Sequence, residues 1–285
     1  MGFYLSILTF TFITIIGVTG IFLITGLTGL FSLGQASFMA IGAYTAGILM
    51  IKFQVPFVVA TILAILVGLL FGLVVGLPTL RLRRDYIALV TFGFGEAVIA
   101  ILNNLTSITG GAMGLSGIPM KTNFTLALIS AIVCIIFARN YKYSKYGRQC
   151  MALKSDELAA KAMGIDVKRV KLTTFLVASG LTAYAGVLYG SFTTYVDPST
   201  FGWTRSAEWI IILFFGGLNS LTGAIFSSLA LGSLPELLRF ASSWRLVIYA
   251  VIVLLILNFR PTGIFGEYEL NLKTLKKDLL RTNRK

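Results

Sequence analysis

The chain has 285 residues, of which 56% are hydrophobic and 12% are charged, and its mean hydropathy is +0.88. Such a composition is typical of a protein whose main solvent is lipid, so we predict one all-α polytopic membrane domain over residues 1–285. The chain has no histidine, which argues against Ser-His-Asp or H-E-x-x-H active sites.

The basic residues are clustered, and the clusters flank apolar segments. The net charge of +13 comes from nine Lys or Arg between Arg139 and Lys171, three within residues 81–84, seven in the tail 260–285, and a few others. The positive-inside rule places these clusters, and hence the C-terminal tail, in the cytoplasm. Segments 104–123 and 194–204, which have few basic residues, are expected outside. This placement argues against nucleic acid as a partner.

Apolar runs predict about eight or nine membrane-spanning segments, some of them broken or re-entrant. A span needs roughly 20 apolar residues, so no room is left for a large soluble domain. The predicted segments are residues 3–28, 32–51, 56–78, 86–103, 124–139, 172–193, 207–234 and 244–259. The orientation of the N-terminus stays open, because segment 32–51 could be re-entrant.

Segment 207–234 is too long for one ordinary span and contains GGLNSLTG at residues 216–223. If Lys171 and Arg260 are both cytoplasmic, an even number of crossings must separate them, so we predict two short helices around a break. Unwound backbone at membrane depth must be buried in protein or line a cavity, although close packing through small residues is the alternative. The candidate pathway residues at this break are Gly216, Gly217, Asn219 and Ser220.

A second segment rich in small residues runs from Gly26 to Gly47 and reads GLTGLFSLGQASFMAIGAYTAG. Small residues let helix backbones approach closely, and we interpret most of them as packing positions. Gln35 differs, because its amide offers several donors and acceptors that need partners inside a membrane. Gln35 is therefore a candidate pathway residue.

Glu96 is the one carboxylate in the predicted span 86–103. It lies about ten residues into that span, or roughly 15 Å deep at about 1.5 Å per residue, which is near the membrane midplane. A lone charge at that depth is costly and should face water or the interior of the bundle. Glu96 is thus the strongest intramembrane candidate, with a structural hydrogen-bonding role as the alternative.

The basic insert at residues 141–171 interrupts the apolar sequence with a charged, helix-forming segment. Ser155 suits an N-cap, Glu157 adds negative charge to a first turn, and Gly164 suits the C′ position, which predicts a helix of about two turns. Its apolar face would consist of Leu158, Ala159, Ala162 and Met163. A helix this short is not stable alone, so it must dock on a soluble partner or on anionic lipid.

The pattern E-x-A-A-x-x-x-G in this insert resembles the core of the coupling helix of ATP-binding-cassette importers. Other segments, in the same order, resemble the branched-chain amino acid (LIV-type, M subunit) permeases, and the similarity covers about residues 26–266. These segments are GLFSLGQASFMAIGAYTAG, DYIALVTFGFGE followed by LNN, TGGAMGL, FFGGLNSLTGAIFSSLALGSLPELLR and NFRPTGIFG. Ala112 and Met113 stand where many relatives have Pro-Asn, and Thr262 stands where many have Gln. These departures lie in loops and bear on the ligand rather than on the family.

The resemblance implies a permease subunit in the cytoplasmic membrane of a bacterium or archaeon. A second permease, expected to be a different chain, would complete the path, two cytoplasmic ATPases would bind the coupling helices, and an external binding protein would deliver a branched-chain or other hydrophobic amino acid. ATP and Mg²⁺ would be bound by the ATPases, since this chain has no G-x-x-x-x-G-K-[ST] loop. The implied coupling residues are Glu157, Leu158, Ala159, Ala160, Met163 and Gly164.

Three alternatives stay open. A permease of the same family could carry urea or short amides, because an apolar path discriminates weakly among side chains. A stand-alone secondary transporter would show inverted repeats and uptake driven by an ion gradient. A membrane-embedded enzyme or scaffold is the third. Association with ATPases would separate the importer from the last two.

Overall fold

The computed structural model describes residues 2–79, 82, 84–237, 251, 254, 258–260, 262–266 and 268–269. Most of the predicted span 244–259 and of the tail 260–285 lies outside the described residues, as do Arg81 and Arg83. The α-helices of the described part are α1 Gly2–Ile21, α2 Gln35–Lys52, α3 Phe57–Thr79, α4 Arg84–Asn104, α5 Thr106–Thr109, α6 Phe124–Tyr143, α7 Lys145–Ser155, α8 Glu157–Ala162, α9 Val167–Thr193, α10 Trp203–Gly216 and α11 Leu221–Leu237. A π-helix, Phe22–Leu27, extends α1.

Helices of this length and composition confirm an all-α polytopic membrane protein. Among the described residues, five segments are long and apolar enough to cross a membrane, and a bent helix pair adds a sixth if it counts as one span. The five segments are Gly2–Leu27, Phe57–Thr79, Tyr86–Asn104, Phe124–Tyr143 and Val167–Thr193. The predicted number of eight or nine crossings stays a prediction.

Helix α2 lies at the centre of the bundle and packs against α3 and α9. Glycines permit this packing, as the small-residue pattern predicts. A Cβ on Gly42 would lie 2.0 Å from the carbonyl oxygen of Ala183 in α9, and a Cβ on Gly186 would lie 1.9 Å from the carbonyl oxygen of Met39. Neither neighbour is a side chain that could move aside, so the two backbones are in direct contact.

The long helix α9 has 27 residues and joins the two ends of the molecule, which are roughly 40 Å apart at about 1.5 Å per residue. At one end, strand β1, Leu115–Ser116, pairs antiparallel with strand β2, Tyr195–Val196. We call this the loop end. The insert end contains α7 and α8, and there the Arg84 guanidinium donates to the carbonyl oxygen of Leu153 at 3.1 Å. The basic insert and the segments with few basic residues therefore lie at opposite ends, as the charge pattern predicts.

Candidate functional site

Helix α8 is the short helix predicted in the insert, but its N-cap is Asp156 rather than Ser155. The Asp156 carboxylate accepts hydrogen bonds from the backbone N–H groups of Leu158 and Ala159, at 2.8 and 3.1 Å. The Ser155 hydroxyl instead donates to the carbonyl oxygen of Met151 at 3.1 Å. The prediction of Ser155 was wrong because a separate helix, α7, ends at that residue.

The C-terminus of α8 is closed by a Schellman motif. Gly164 has a φ of +79°, its N–H donates to the carbonyl of Lys161, and the N–H of Ile165 donates to the carbonyl of Ala160. A side chain at this position would strain the left-handed backbone, so Gly164 occupies the predicted C′ position. Capping at both ends gives α8 a defined length despite having only six residues.

An ion pair fixes α8 to the start of α9. The Lys171 ammonium donates to the Glu157 carboxylate at 2.8 Å, and the Lys171 side chain is buried while that of Glu157 is partly exposed. Ala160, on the same side of α8, is 4% exposed. Removing Glu157 would leave a buried cation without its carboxylate, which is costly. Glu157 therefore holds the helix in place.

The opposite face of α8 is apolar and uncovered. Leu158 is 80% exposed and Met163 is 83% exposed. Ala159 and Ala162 beside them are exposed as well. Exposed apolar side chains are typical of an interaction surface when the opposite face of the helix is fixed to the protein, as the Glu157–Lys171 ion pair fixes α8.

The first helix of the insert, α7, ties this surface to the membrane helices. The Lys154 ammonium donates to the carbonyl oxygen of Gly26, at the π-helical end of α1, at 2.8 Å. It also donates to the side-chain oxygen of Asn219. Arg84 of α4 donates to the carbonyl oxygens of Leu153 and Lys154 at 3.1 and 3.2 Å. The insert thus contacts α1, α4 and the segment between α10 and α11.

That segment is the predicted break. Helix α10 ends at Gly216, α11 begins at Leu221, and the chain turns through 119° between them. Gly217 has a φ of +116°, and a Cβ on Gly216 would lie 2.3 Å from the carbonyl oxygen of Gly223. The interruption is confirmed, and the contact between Asn219 and Lys154 places it at the insert end.

A partly buried ion pair stabilises the break. The Lys142 ammonium donates to the carbonyl oxygen of Asn219 at 2.5 Å and to the Glu269 carboxylate at 2.6 Å. Glu269 also accepts the backbone N–H of Leu221 at 2.6 Å and the Thr222 hydroxyl at 3.0 Å, so it caps α11. Lys142 and Glu269 are 127 residues apart, and no local pattern indicated their pairing.

The freed backbone groups of the break find hydrogen-bond partners nearby. The Ser220 hydroxyl donates to the carbonyl oxygen of Tyr268 at 2.5 Å and accepts the N–H of Gly223 at 2.9 Å. The N–H of Phe265 donates to the carbonyl of Gly216 at 3.1 Å. Residues near the C-terminus therefore cover the turn.

The other two candidate residues lie in different surroundings. Gln35 starts α2, is fully buried, and its side-chain oxygen accepts the Thr182 hydroxyl of α9 at 2.9 Å, whereas its NH₂ group has no partner among the described residues. Glu96 is exposed on α4, and within the described residues its carboxylate has no hydrogen bond or ion pair. Whether either residue lines a pathway stays a prediction.

Comparisons with known proteins agree with the geometry. Residues 3–257 match the family described as "Branched-chain amino acid transport system / permease component". The chain is 31% identical to the high-affinity branched-chain amino acid transport system permease protein LivM of Escherichia coli over 91% of this chain and 69% of the relative. It is 25% identical to a probable LivM of Methanocaldococcus jannaschii over 73% and 68%, and 27% identical to LivH of Salmonella typhimurium over 65% and 60%. No solved structure gives a significant match.

Proposed function

The chain belongs to the family of permease components of branched-chain amino acid transport systems, and we propose that it is the membrane subunit through which an ATP-binding-cassette importer couples ATP hydrolysis to amino acid uptake. ATP and Mg²⁺ are bound by separate ATPase chains, and an external binding protein delivers the amino acid. A second permease completes the path, in keeping with the similarity to both LivM and LivH proteins. The insert end faces the cytoplasm, because it holds the basic insert and Arg84.

The observation that carries this proposal is the construction of α8. Its exposed apolar side chains, Leu158 and Met163, form the contact with the ATPase. The Glu157–Lys171 ion pair holds the buried side of α8 against α9. A displacement of α8 would therefore also displace α9. Glu157, Ala160 and Gly164 act as positioning residues.

The coupling route continues from the insert to the break between α10 and α11. Lys154 links α7 to Asn219, and Lys142 links the end of α6 to the same residue. A displacement of the insert therefore displaces the turn at Gly216–Gly217 and Ser220. We propose that this turn moves when the path opens and closes at the cytoplasmic side.

Two exposed methionines at opposite ends of the folded molecule provide a matched test. Met163 is 83% exposed at the insert end, and Met113 is 87% exposed at the loop end. We expect Met163→Glu to abolish most ATP-dependent leucine uptake by the complete transporter, because a carboxylate would be buried against the ATPase. Met113→Glu, at the opposite end of the molecule from α8, should leave binding of the ATPase unchanged. ATPase subunits should co-purify with the Met113→Glu chain and be depleted with the Met163→Glu chain.

Equal uptake and equal ATPase recovery with both variants, at equal amounts in the membrane, would remove the assignment of α8. The same reconstituted transporter can be offered leucine, isoleucine, valine and urea. Uptake of urea without uptake of the amino acids would change the substrate but leave the coupling role in place.

A further inference from the structure

One face of α4 combines an apolar hollow with a carboxylate. Leu89, Phe92 and Glu96 are spaced by three and four residues, so they share a face of the helix and point the same way. Glu96 is the one charged side chain between Tyr86 and Asn104. The three side chains form a line of about 10 Å along the helix axis.

The hollow has a volume of about 360 Å³ and apolar walls. It is bordered by Leu33, Ala88, Leu89, Phe92 and Trp203. The Trp203 ring meets the Phe92 ring edge to face with centroids 6.2 Å apart, and the N–H of Leu33 donates to the Thr91 hydroxyl at 3.2 Å. Three chain segments therefore define the shape of the hollow, which has ample room for a branched aliphatic side chain.

The surface between the hollow and Glu96 is bare. A Cβ on Gly93 would meet no atom of the described residues within 4 Å, and a Cβ on Gly95 would lie 3.7 Å from the Cα of Gly34. Gly93 thus leaves open space between Leu89 and Glu96. Phe92 and Glu96 are one turn apart, about 6 Å along the axis, which is close to the length of leucine from its ammonium to its methyl groups.

We propose that this face of α4 is half of a substrate site, in which the Glu96 carboxylate binds the ammonium group of an amino acid and the hollow takes its aliphatic side chain. The ligand class follows from charge complementarity and from the apolar walls. A carboxylate exposed within a membrane span needs a cation or water to be tolerated, and a zwitterionic amino acid with a hydrocarbon side chain supplies the cation. The site rests on the proposed function, and the second permease closes it from the other side.

Substrate protection of an introduced thiol tests the site. Gly93→Cys places a thiol in the open space beside Glu96, and the native Cys134 and Cys150 are buried and free. Burial also raises the pKa of the Cys150 thiol, which keeps it unreactive. In the complete transporter in lipid nanodiscs, we expect a water-soluble thiol reagent to label the introduced thiol, and leucine to slow that labelling several-fold. Isocaproate, which is leucine without its amino group, should not slow it.

Two further variants complete the experiment. Glu96→Gln in the Gly93→Cys background should remove the protection by leucine, and Ala100→Cys, on the same exposed side of α4, serves if Gly93→Cys fails to fold. Leu70→Cys, exposed on α3 and expected to face lipid, should not react. The site is overturned if leucine gives no protection, if isocaproate protects equally, or if the thiol introduced on α4 is unlabelled in the complete transporter. ATP-dependent leucine uptake by the unaltered transporter shows separately whether the proposed function stands.

Discussion

Helices α2 and α4 are both apolar and of similar length, but they relate to the rest of the chain in opposite ways. Most of α2 is buried within the bundle, and its Gly42 lies directly against the backbone of α9. Much of α4 is exposed, and a Cβ added at Gly93 would meet no atom of the described residues within 4 Å. Each helix carries one of the candidate pathway residues, Gln35 in α2 and Glu96 in α4.

The difference separates two uses of polarity in a membrane protein. The Gln35 side chain is directed toward Thr182 of the same chain, where a hydrogen bond fixes the start of α2. The Glu96 carboxylate is exposed on the part of the chain that the structure describes, which leaves it available to a ligand or to a neighbouring subunit. Hydropathy alone does not distinguish these cases, because both residues interrupt an apolar run. Their burial does.

The largest effect is expected from adding a methyl group to the buried helix α2, with the same change in α4 for comparison. Gly42→Ala in α2 would force a Cβ to within 2.0 Å of a backbone oxygen, so α2 and α9 must separate. We expect the unfolding free energy to fall by about 1–3 kcal/mol, as measured by graded SDS unfolding in micelles. Gly93→Ala in α4 is the control. It should be neutral or stabilise by up to about 1 kcal/mol, since Ala favours helix over Gly. Equal destabilisation by both would contradict the assignment of α2 as core and α4 as surface.

Next in size is the effect of Glu96→Gln on transport. A hydrogen bond to a charged group contributes about 1.5–3 kcal/mol, so uptake of leucine should fall roughly 10- to 100-fold. The unfolding free energy should not change, because within the described residues the carboxylate has no partner in the chain. Initial uptake rates and SDS unfolding of the same preparation measure the two quantities. A stability loss with unchanged uptake would give Glu96 a structural role instead.

The smallest effect is expected from Gln35→Leu. The substitution removes a hydrogen bond of about 1 kcal/mol but also removes a buried NH₂ group without a partner among the described residues, which costs a similar amount. The unfolding free energy should therefore change by less than about 1 kcal/mol, with uptake near normal. If uptake is lost while the fold is intact, Gln35 lines the path in another conformation and the contrast between α2 and α4 is weaker than proposed.

Much of the fold could be predicted because long apolar runs in a sequence indicate membrane spans. The predicted segment 124–139 became α6 Phe124–Tyr143, and the predicted break within 216–223 is present between α10 and α11. Gly164 was predicted as a helix end because only a residue without a side chain suits that backbone, and its φ of +79° agrees. Local chemistry determined each of these features.

Features that depend on distant residues could not be predicted. Helix α7 was missed because its basic composition lacks a long apolar run, and this omission led to the wrong N-cap at Ser155. In the sequence, Lys142 is one of several basic residues of the insert, and nothing near it indicates a partner. In the fold it is buried against Glu269. The outward direction of Glu96 depends on which face of α4 the other helices cover, and one sequence does not specify that.

The Lys142–Glu269 pair has a consequence for biosynthesis. Glu269 leaves the ribosome 127 residues after Lys142, which is roughly 6–25 s later at about 5–20 residues per second. During that interval Lys142 has no carboxylate beside it, and the N-terminus of α11 lacks the cap that Glu269 supplies. The turn between α10 and α11 therefore reaches its final form only after Glu269 has been synthesised. A chain that stops short of Glu269 would leave the Lys142 ammonium at this turn without its carboxylate partner and the N-terminus of α11 without its cap.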